Sequence, residues 1–167
     1  MRKITAMSLV AAVAAYGTAL TAQDPDTPTL TLAASDEFGP YIQGPDGRPV
    51  YAMLTELNTG DRQDPLQSCE VSCRDHWPVL ILDGDVTVGD GLDAALADTF
   101  SWRGDSVAQY ADRPLFQFYR DQPGEKPQGQ GIFSFGGYWA LLTPGGETMR
   151  TDTMPEPDET ADPGAGD

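Results

Sequence analysis

Residues 68–78 read SCEVSCRDHWP and contain both cysteines and the single histidine of the 167-residue chain. Cys69 and Cys73 are four positions apart. On one turn of helix their Cα atoms would be about 6 Å apart, which is within the range of a disulfide. Pro78 ends any helix that enters from this segment. The apolar run that follows, residues 79–82, is therefore predicted to be a buried strand or extended segment, and the cysteine segment a turn that delivers Trp77 to the core.

The N-terminus has the layout of a secretory signal peptide over residues 1–22. Arg2 and Lys3 precede an uncharged, apolar run at residues 4–20. Cleavage is expected after Ala22, with Ala19 as the second choice. The run is short for a membrane anchor, so no stable membrane insertion is expected after cleavage. The protein is therefore predicted to be periplasmic or secreted.

The charge of the chain limits its partners. The formal net charge is −16, from 26 acidic and 10 basic residues. Such a surface repels nucleic acid and anionic lipid headgroups, so neither is expected as a partner. The expected partner is an unidentified envelope protein or a small ligand.

The two cysteines allow three interpretations. An exported protein meets an oxidising compartment, which favours a Cys69–Cys73 disulfide and no cofactor. The alternative is a metal site for Cu(I) or Zn(II), since Cys69, Cys73 and His76 could face one side of a short helix. A thiol–disulfide catalyst fits less well, because its usual motif is Cys-x-x-Cys. A copper or thiol-redox accessory protein is therefore the alternative function.

The mature chain is predicted to be one compact, mainly β domain of hairpins, with short helical turns. Residues 23–36 form a linker with an edge strand near Leu30, residues 37–146 the domain, and residues 147–167 an acidic disordered tail. Hairpins are predicted at 39–54, 107–120 and 132–142, the last with a turn at Gly136–Gly137. The Gly- and Asp-rich residues 83–93 are assigned to turns rather than to calcium binding, because the EF-hand pattern is absent.

An internal repeat is suggested by two similar stretches. Residues 48–53 (RPVYAM) align with residues 113–118 (RPLFQF), and at the same offset Glu56 aligns with Asp121. Each copy is an aromatic residue, four further residues and a carboxylate, with Tyr51 and Phe116 as the aromatics. Two copies with a long period predict two pseudo-symmetric halves around one shared core. The expected core members are Tyr51, Trp77, Phe116, Phe118, Trp139 and Leu141.

These features resemble the bacterial secreted-repeat family, also described as predicted lipoproteins with a Tyr-x4-Asp motif. The likeness runs from about Phe38 to Gly146. It rests on the segments DGRPVY (46–51), Cys-x3-Cys followed by Trp-Pro (69–78), RPLF through to Asp (113–121), GQG (129–131) and GYW (137–139). The chain departs from the family at Glu56 and Phe116, and it lacks the cysteine that would carry a lipid. The resemblance implies a β-rich envelope or secreted protein of no assigned activity.

Catalytic arrangements are absent from the sequence. A Ser-His-Asp triad could use only His76, and the Gly-x-Ser-x-Gly, His-Glu-x-x-His and phosphate-loop motifs do not occur. Glu56 and Asp121 are the carboxylates that stand out, because they occupy equivalent places in the repeat. They are expected to cap turns by accepting backbone N–H bonds, or else to flank a shared cleft. The sequence therefore predicts a non-enzymatic binding or accessory module.

Overall fold

Three small antiparallel sheets make up most of the regular structure in the computed structural model, which describes residues 28–55 and 64–155. The predicted signal peptide and Glu56 lie outside these residues. The chain forms one compact, mainly β domain with short helices. Its elements are β1 (Thr31–Ser35), β2 (Gly39–Gln43), β3 (Tyr51–Leu54), α1 (Pro65–Ser68), α2 (Val71–Arg74), a 3₁₀ turn (Ala94–Leu96), β4 (Ala97–Trp102), β5 (Asp105–Tyr110), β6 (Arg113–Pro114), β7 (Phe133–Ser134) and β8 (Gly137–Leu141).

Single β-bridges join the sheets into one body. The sheets have the orders β1-β2, β3-β8-β7 and β4-β5-β6. Phe116 forms bridges with both Tyr51 and Val79, and Ile81 forms one with Val107. The segment at 79–82, predicted to be extended and buried, thus connects the β5 sheet to the centre. Leu80 and Leu82 are buried, whereas Ile81 is 48% exposed.

Tyr51 and Phe116 pair with each other at the centre of the domain. The Tyr51 N–H donates to the Phe116 carbonyl at 2.8 Å, and the Phe116 N–H donates back to Tyr51 at 3.0 Å. On its other edge Tyr51 pairs with Leu141 of β8, and Phe116 pairs in the same antiparallel sense with Val79. The residues that align in the two sequence copies are therefore neighbours in space.

Trp77 and Trp139 stack on each other beside this backbone pair. Their ring centroids are 4.0 Å apart and their planes differ by 4°. The Tyr51 ring meets Trp77 edge-on at 5.4 Å, and the Phe116 ring meets Trp139 edge-on at 5.0 Å. Edge-to-face and parallel contacts of this kind add to the stabilisation that burial of large rings provides.

The core lies on both faces of these central strands. The six residues predicted for it are all buried, with Phe118 the most exposed at 7%. One cluster contains the four stacked and edge-on rings together with the two cysteines. A second cluster contains Val50, Ala52 and Leu115, which alternate with Tyr51 and Phe116 along the strands. The expected single core is thus divided into two main clusters separated by shared strands, because the strands are buried on both sides. A small third cluster contains Leu54, Ala140 and Met154.

Local geometry corrects one predicted hairpin turn. The β7–β8 hairpin turns at Phe135–Gly136, where φ is +55° and +86°, rather than at Gly136–Gly137. Gly137 lies in β8 instead, where an added Cβ would be 2.9 Å from the Met53 side chain. The predicted 107–120 hairpin is present as β5–β6, with Ala111 and Asp112 both at positive φ.

The remaining differences concern strand partners and the end of the domain. The two arms of the predicted 39–54 hairpin meet near its turn, but β2 pairs mainly with β1, and β3 pairs with β8. The β4–β5 hairpin has no counterpart in the sequence predictions.

At the C-terminal side the Met149 N–H bonds to the Leu141 carbonyl and Met154 is buried, so the ordered structure extends past Gly146. In the described ranges no helix is long and apolar enough to cross a bilayer.

Replacing Trp139 by Ala is expected to lower the free energy of unfolding by about 3–5 kcal/mol, the usual loss for a large buried aromatic residue. The ring contacts both Trp77 and Phe116, so the substitution leaves a cavity between these two rings. Urea unfolding followed by circular dichroism measures the effect. Phe133→Ala is the control, because Phe133 is 49% exposed. Equal losses in both variants would contradict the central role of the stack.

Candidate functional site

Cys69 and Cys73 form a disulfide at the junction of α1 and α2. Their Cα atoms are 5.0 Å apart, and the two residues are 0% and 2% exposed. The Trp77 N–H donates to the Cys73 carbonyl at 2.7 Å, and Arg74 Nε donates to the Cys69 carbonyl at 2.9 Å. The disulfide thus fixes the turn from which Trp77 enters the core, as the sequence predicts for a structural pair.

The third metal candidate, His76, contacts a backbone carbonyl and two aromatic rings. Its Nδ1 lies 3.1 Å from the Ser72 carbonyl oxygen, and its ring contacts Tyr119 and Phe135. Among residues 28–55 and 64–155 no three His, Cys, Asp or Glu side chains are grouped so that they could hold a metal. A copper or zinc site at Cys69, Cys73 and His76 would therefore require the disulfide to open, and it stays a prediction for the reduced protein.

Tyr51 and Asp121, one from each of the two similar sequence stretches, form a buried polar pair. The Tyr51 hydroxyl donates to Asp121 Oδ2 at 2.5 Å and accepts from the Gly129 N–H at 3.2 Å. Asp121 Oδ1 accepts from the Gln128 N–H at 2.8 Å. Tyr51 is 0% and Asp121 1% exposed. The expected capping role of Asp121 is thus visible in its bond to Gln128, and the tyrosine hydroxyl is an additional partner that the sequence did not reveal.

The environment of the pair shifts the pKa values of both Asp121 and Tyr51. Burial raises the pKa of Asp121 above its ordinary value, although the hydrogen bonds from Tyr51 and Gln128 act in the opposite direction. Burial, the hydrogen bond to Asp121 and its nearby charge raise the pKa of Tyr51 as well. Burial and the charge of Asp121 also raise the pKa of Tyr41. Tyr41 and Tyr51 belong to the buried aromatic cluster, and Asp121 is buried beside them, so the pair is part of what holds the fold together.

Gly129 shows how closely the 121–130 loop is packed against this pair. A Cβ added to Gly129 would be 2.8 Å from the Trp77 ring and 2.8 Å from the Tyr51 ring. Only glycine lets the backbone approach both rings this closely. In the matching position of the other copy, Phe116 has no hydroxyl to make such a bond, and Glu56 lies outside the described residues. The GQG segment noted in the sequence therefore has a structural role here.

A solvent-exposed aromatic group lies next to Trp77 in the sequence, at His76. We call it the His76 surface, and it consists of His76, Tyr119, Arg120 and Phe135. His76 meets the Tyr119 ring edge-on at 4.9 Å and the Phe135 ring at 5.9 Å. The Arg120 guanidinium lies 5.2 Å from the Tyr119 ring centroid, and Arg120 Nε donates to the Tyr119 hydroxyl at 2.7 Å. Tyr119 and Phe135 are 41% and 38% exposed.

The backbone explains why this group forms. The Tyr119 N–H donates to the His76 carbonyl at 2.9 Å, and the Gln117 N–H donates to the Pro78 carbonyl at 2.9 Å, so the two segments run antiparallel. Side chains alternate along extended chains, so burial of Trp77 and Phe118 leaves His76 and Tyr119 facing solvent. The sequence identified His76 only as a metal candidate. Its aromatic neighbours come from loops distant in sequence, and no local pattern shows that they meet.

Comparison with known proteins gives no match to any protein family, curated protein or solved structure. The resemblance to the secreted-repeat family therefore stays a prediction.

Intact-mass spectrometry of the exported protein should give a mass two protons below that of the reduced chain. The Cys69→Ser/Cys73→Ser variant should unfold at lower urea, with a loss of about 2 kcal/mol, because the disulfide closes a very short loop. It should remain folded, since the aromatic stack is untouched. Free thiols with a bound copper or zinc ion would contradict the structural role of the pair.

Tyr51→Phe is expected to destabilise the fold by about 1–3 kcal/mol, because it leaves buried polar groups of Asp121 and Gly129 without their partner. The ring and its packing remain. Urea denaturation measures the change, with Tyr119→Phe as a control in which the lost hydroxyl is exposed. A Tyr51→Phe variant as stable as the control would show that the hydroxyl bond adds nothing.

Because the pKa of Asp121 is raised in the folded state, the folded protein holds this proton more tightly than the unfolded chain. Its contribution to the free energy of unfolding is therefore present at pH below the ordinary aspartate value, and it is lost as pH rises through the raised pKa. Asp121→Asn removes this dependence. The free energy of unfolding of the wild type minus that of Asp121→Asn should fall with rising pH in that window. Urea denaturation at several pH values measures this difference. A flat difference would contradict the assignment.

Proposed function

We propose that the protein is an exported, non-enzymatic binding or accessory module of the bacterial envelope, which contacts a partner protein or small ligand through the His76 surface. The observation that carries this proposal is the group of adjacent, solvent-exposed aromatic side chains next to a rigid core. Exposed aromatic groups of this kind are typical of interaction sites, since tyrosine and arginine contribute strongly to binding.

The surface suits binding because its support is rigid. Phe118 precedes Tyr119 and packs on Trp77, with ring centroids 4.4 Å apart. Trp77 is in turn held by the disulfide turn and by the stack on Trp139. A ligand would therefore meet side chains whose backbone is already fixed, which reduces the entropy lost on binding.

Export is supported by the layout of residues 1–22 and by the disulfide, since disulfides persist in oxidising compartments. Both features support a periplasmic or secreted location. The internal repeat belongs to the same proposal. Its support is the mutual pairing of Tyr51 with Phe116 and the equivalent edge-on contacts of their rings with Trp77 and Trp139.

The alternative function, a copper or thiol-redox accessory protein, would use Cys69, Cys73 and His76 in the reduced state. The proximity of the three residues in one turn segment supports it. Both sulfurs are buried within the disulfide, so a reductant would need access that the folded domain does not offer. The intact-mass measurement separates the two proposals.

A surface variant tests the binding proposal. Tyr119→Ser/Phe135→Ser should keep the wild-type unfolding curve and lose at least about tenfold in affinity for the envelope component that copurifies with the wild type after crosslinking in the periplasm. Ile81→Ser is the matched control, because it removes a 48% exposed apolar side chain elsewhere. Equal recovery of the same component by all three proteins would contradict the assignment of the site.

A further inference from the structure

His76 is held in one tautomer by its backbone contact. A carbonyl oxygen can only accept, so the 3.1 Å contact with Ser72 requires a proton on Nδ1. In the neutral ring the lone pair then lies on Nε2, for which the described residues provide no hydrogen-bond partner. Histidines that bind metals commonly donate their other ring N–H to a carbonyl in this way, which fixes the orientation of the ring.

The groups around the His76 ring differ in chemistry. Tyr119 and Phe135 present apolar ring surface, and both contact the imidazole. Arg120 adds a guanidinium at the edge of the same surface, held over the Tyr119 ring. A fixed cation is notable in a chain of net charge −16, where anionic ligands are otherwise repelled. The surface thus combines a nitrogen ligand, flat apolar contact and one anion-binding group.

Few ligand classes use all three features. A bare metal ion would use the imidazole alone, since no group of three metal-ligating side chains occurs in the described part of the chain. A neutral sugar would stack on the rings but would leave the Nε2 lone pair unused. A flat metal complex with carboxylate substituents uses the nitrogen, the rings and the guanidinium together.

We propose that the His76 surface binds an iron porphyrin, with His76 Nε2 as an axial ligand of the iron. The macrocycle packs against Phe135 and Tyr119, and a propionate pairs with Arg120. The nitrogen lone pair forms the new coordination bond and displaces water or hydroxide from ferric iron, so no oxidation state changes. This inference rests on the proposed role of the His76 surface as the binding site.

Titration of the mature, oxidised protein with ferric haemin tests the proposal. The protein for this titration is produced without a histidine tag, so that His76 is the single imidazole in the sample. Wild type should bind one haemin per chain with a shifted Soret band, and excess imidazole should reverse the shift. His76→Ala should lose the shift, with His76→Gln as a second variant if alanine impairs folding. Tyr119→Ser/Phe135→Ser should keep the spectrum and bind about tenfold more weakly. Ile81→Ser should behave as wild type.

Two further measurements decide between related explanations. Metal-free protoporphyrin cannot form the iron–nitrogen bond. It should therefore bind wild type more weakly than haemin does, whereas His76→Ala should bind protoporphyrin and haemin equally. Tyr119→Phe should retain the Soret shift, since the proposal assigns the ligand to imidazole rather than to the phenol. Unsaturable haemin uptake, an unchanged spectrum in folded His76→Ala, or loss of the shift in Tyr119→Phe would overturn the assignment.

The outcomes also separate this inference from the proposed function. If haemin does not bind but Tyr119→Ser/Phe135→Ser still loses the envelope component, the iron porphyrin assignment fails and the binding surface stands. If that variant changes neither interaction, both proposals fail.

Discussion

The parallel contact between Trp77 and Trp139 is the interaction on which the rest of the structure depends. It joins the segment that follows the disulfide to the strand at the C-terminal side of the domain. Each indole receives the edge of one central ring, from Tyr51 and Phe116 respectively. Burial of four large rings in one place supplies much of the hydrophobic stabilisation available to a domain with short strands and long loops.

The disulfide and the Tyr51–Asp121 pair act on two sides of this aromatic centre. The disulfide sets where Trp77 enters, while the polar pair brings the 121–130 loop against the rings. A buried carboxylate is tolerated because both of its oxygens accept hydrogen bonds. The arrangement restricts the backbone near Gly129, where no side chain would fit. Packing around the aromatic centre therefore accounts for the position of the disulfide turn, the buried Tyr51–Asp121 pair and the glycine at position 129.

Local patterns in the sequence predicted much of this fold. The mainly β class, the β5–β6 hairpin and the burial of Trp77 and Trp139 follow from turn residues and apolar runs. The Cys69–Cys73 disulfide also agrees with its spacing. Strand partners were harder to predict. The two arms of a hairpin that are adjacent in sequence can each pair with a strand from another part of the chain. In this fold β2 pairs with β1 and β3 with β8.

The candidate site was less predictable than the fold for a physical reason. His76 is visible in the sequence as the single imidazole, but its ring contacts come from Tyr119 and Phe135, which belong to other segments. Likewise, Asp121 was expected to cap a turn, and its bond to Tyr51 depends on tertiary packing. Periodicity reports which face of a strand is buried, not which distant loops meet at its end.

The position of the central contacts also affects how the chain can fold. The hydrogen bond between Tyr51 and Asp121 joins residues 70 apart, and that between Gly129 and Tyr51 joins residues 78 apart. Large loops must close before such contacts stabilise anything, so these contacts are expected to slow folding. A chain synthesised from its N-terminus would expose Tyr51 and Trp77 until β8 follows. Its aromatic residues would then be open to aggregation until the aromatic centre closes, which makes an early local constraint such as the disulfide turn useful during folding.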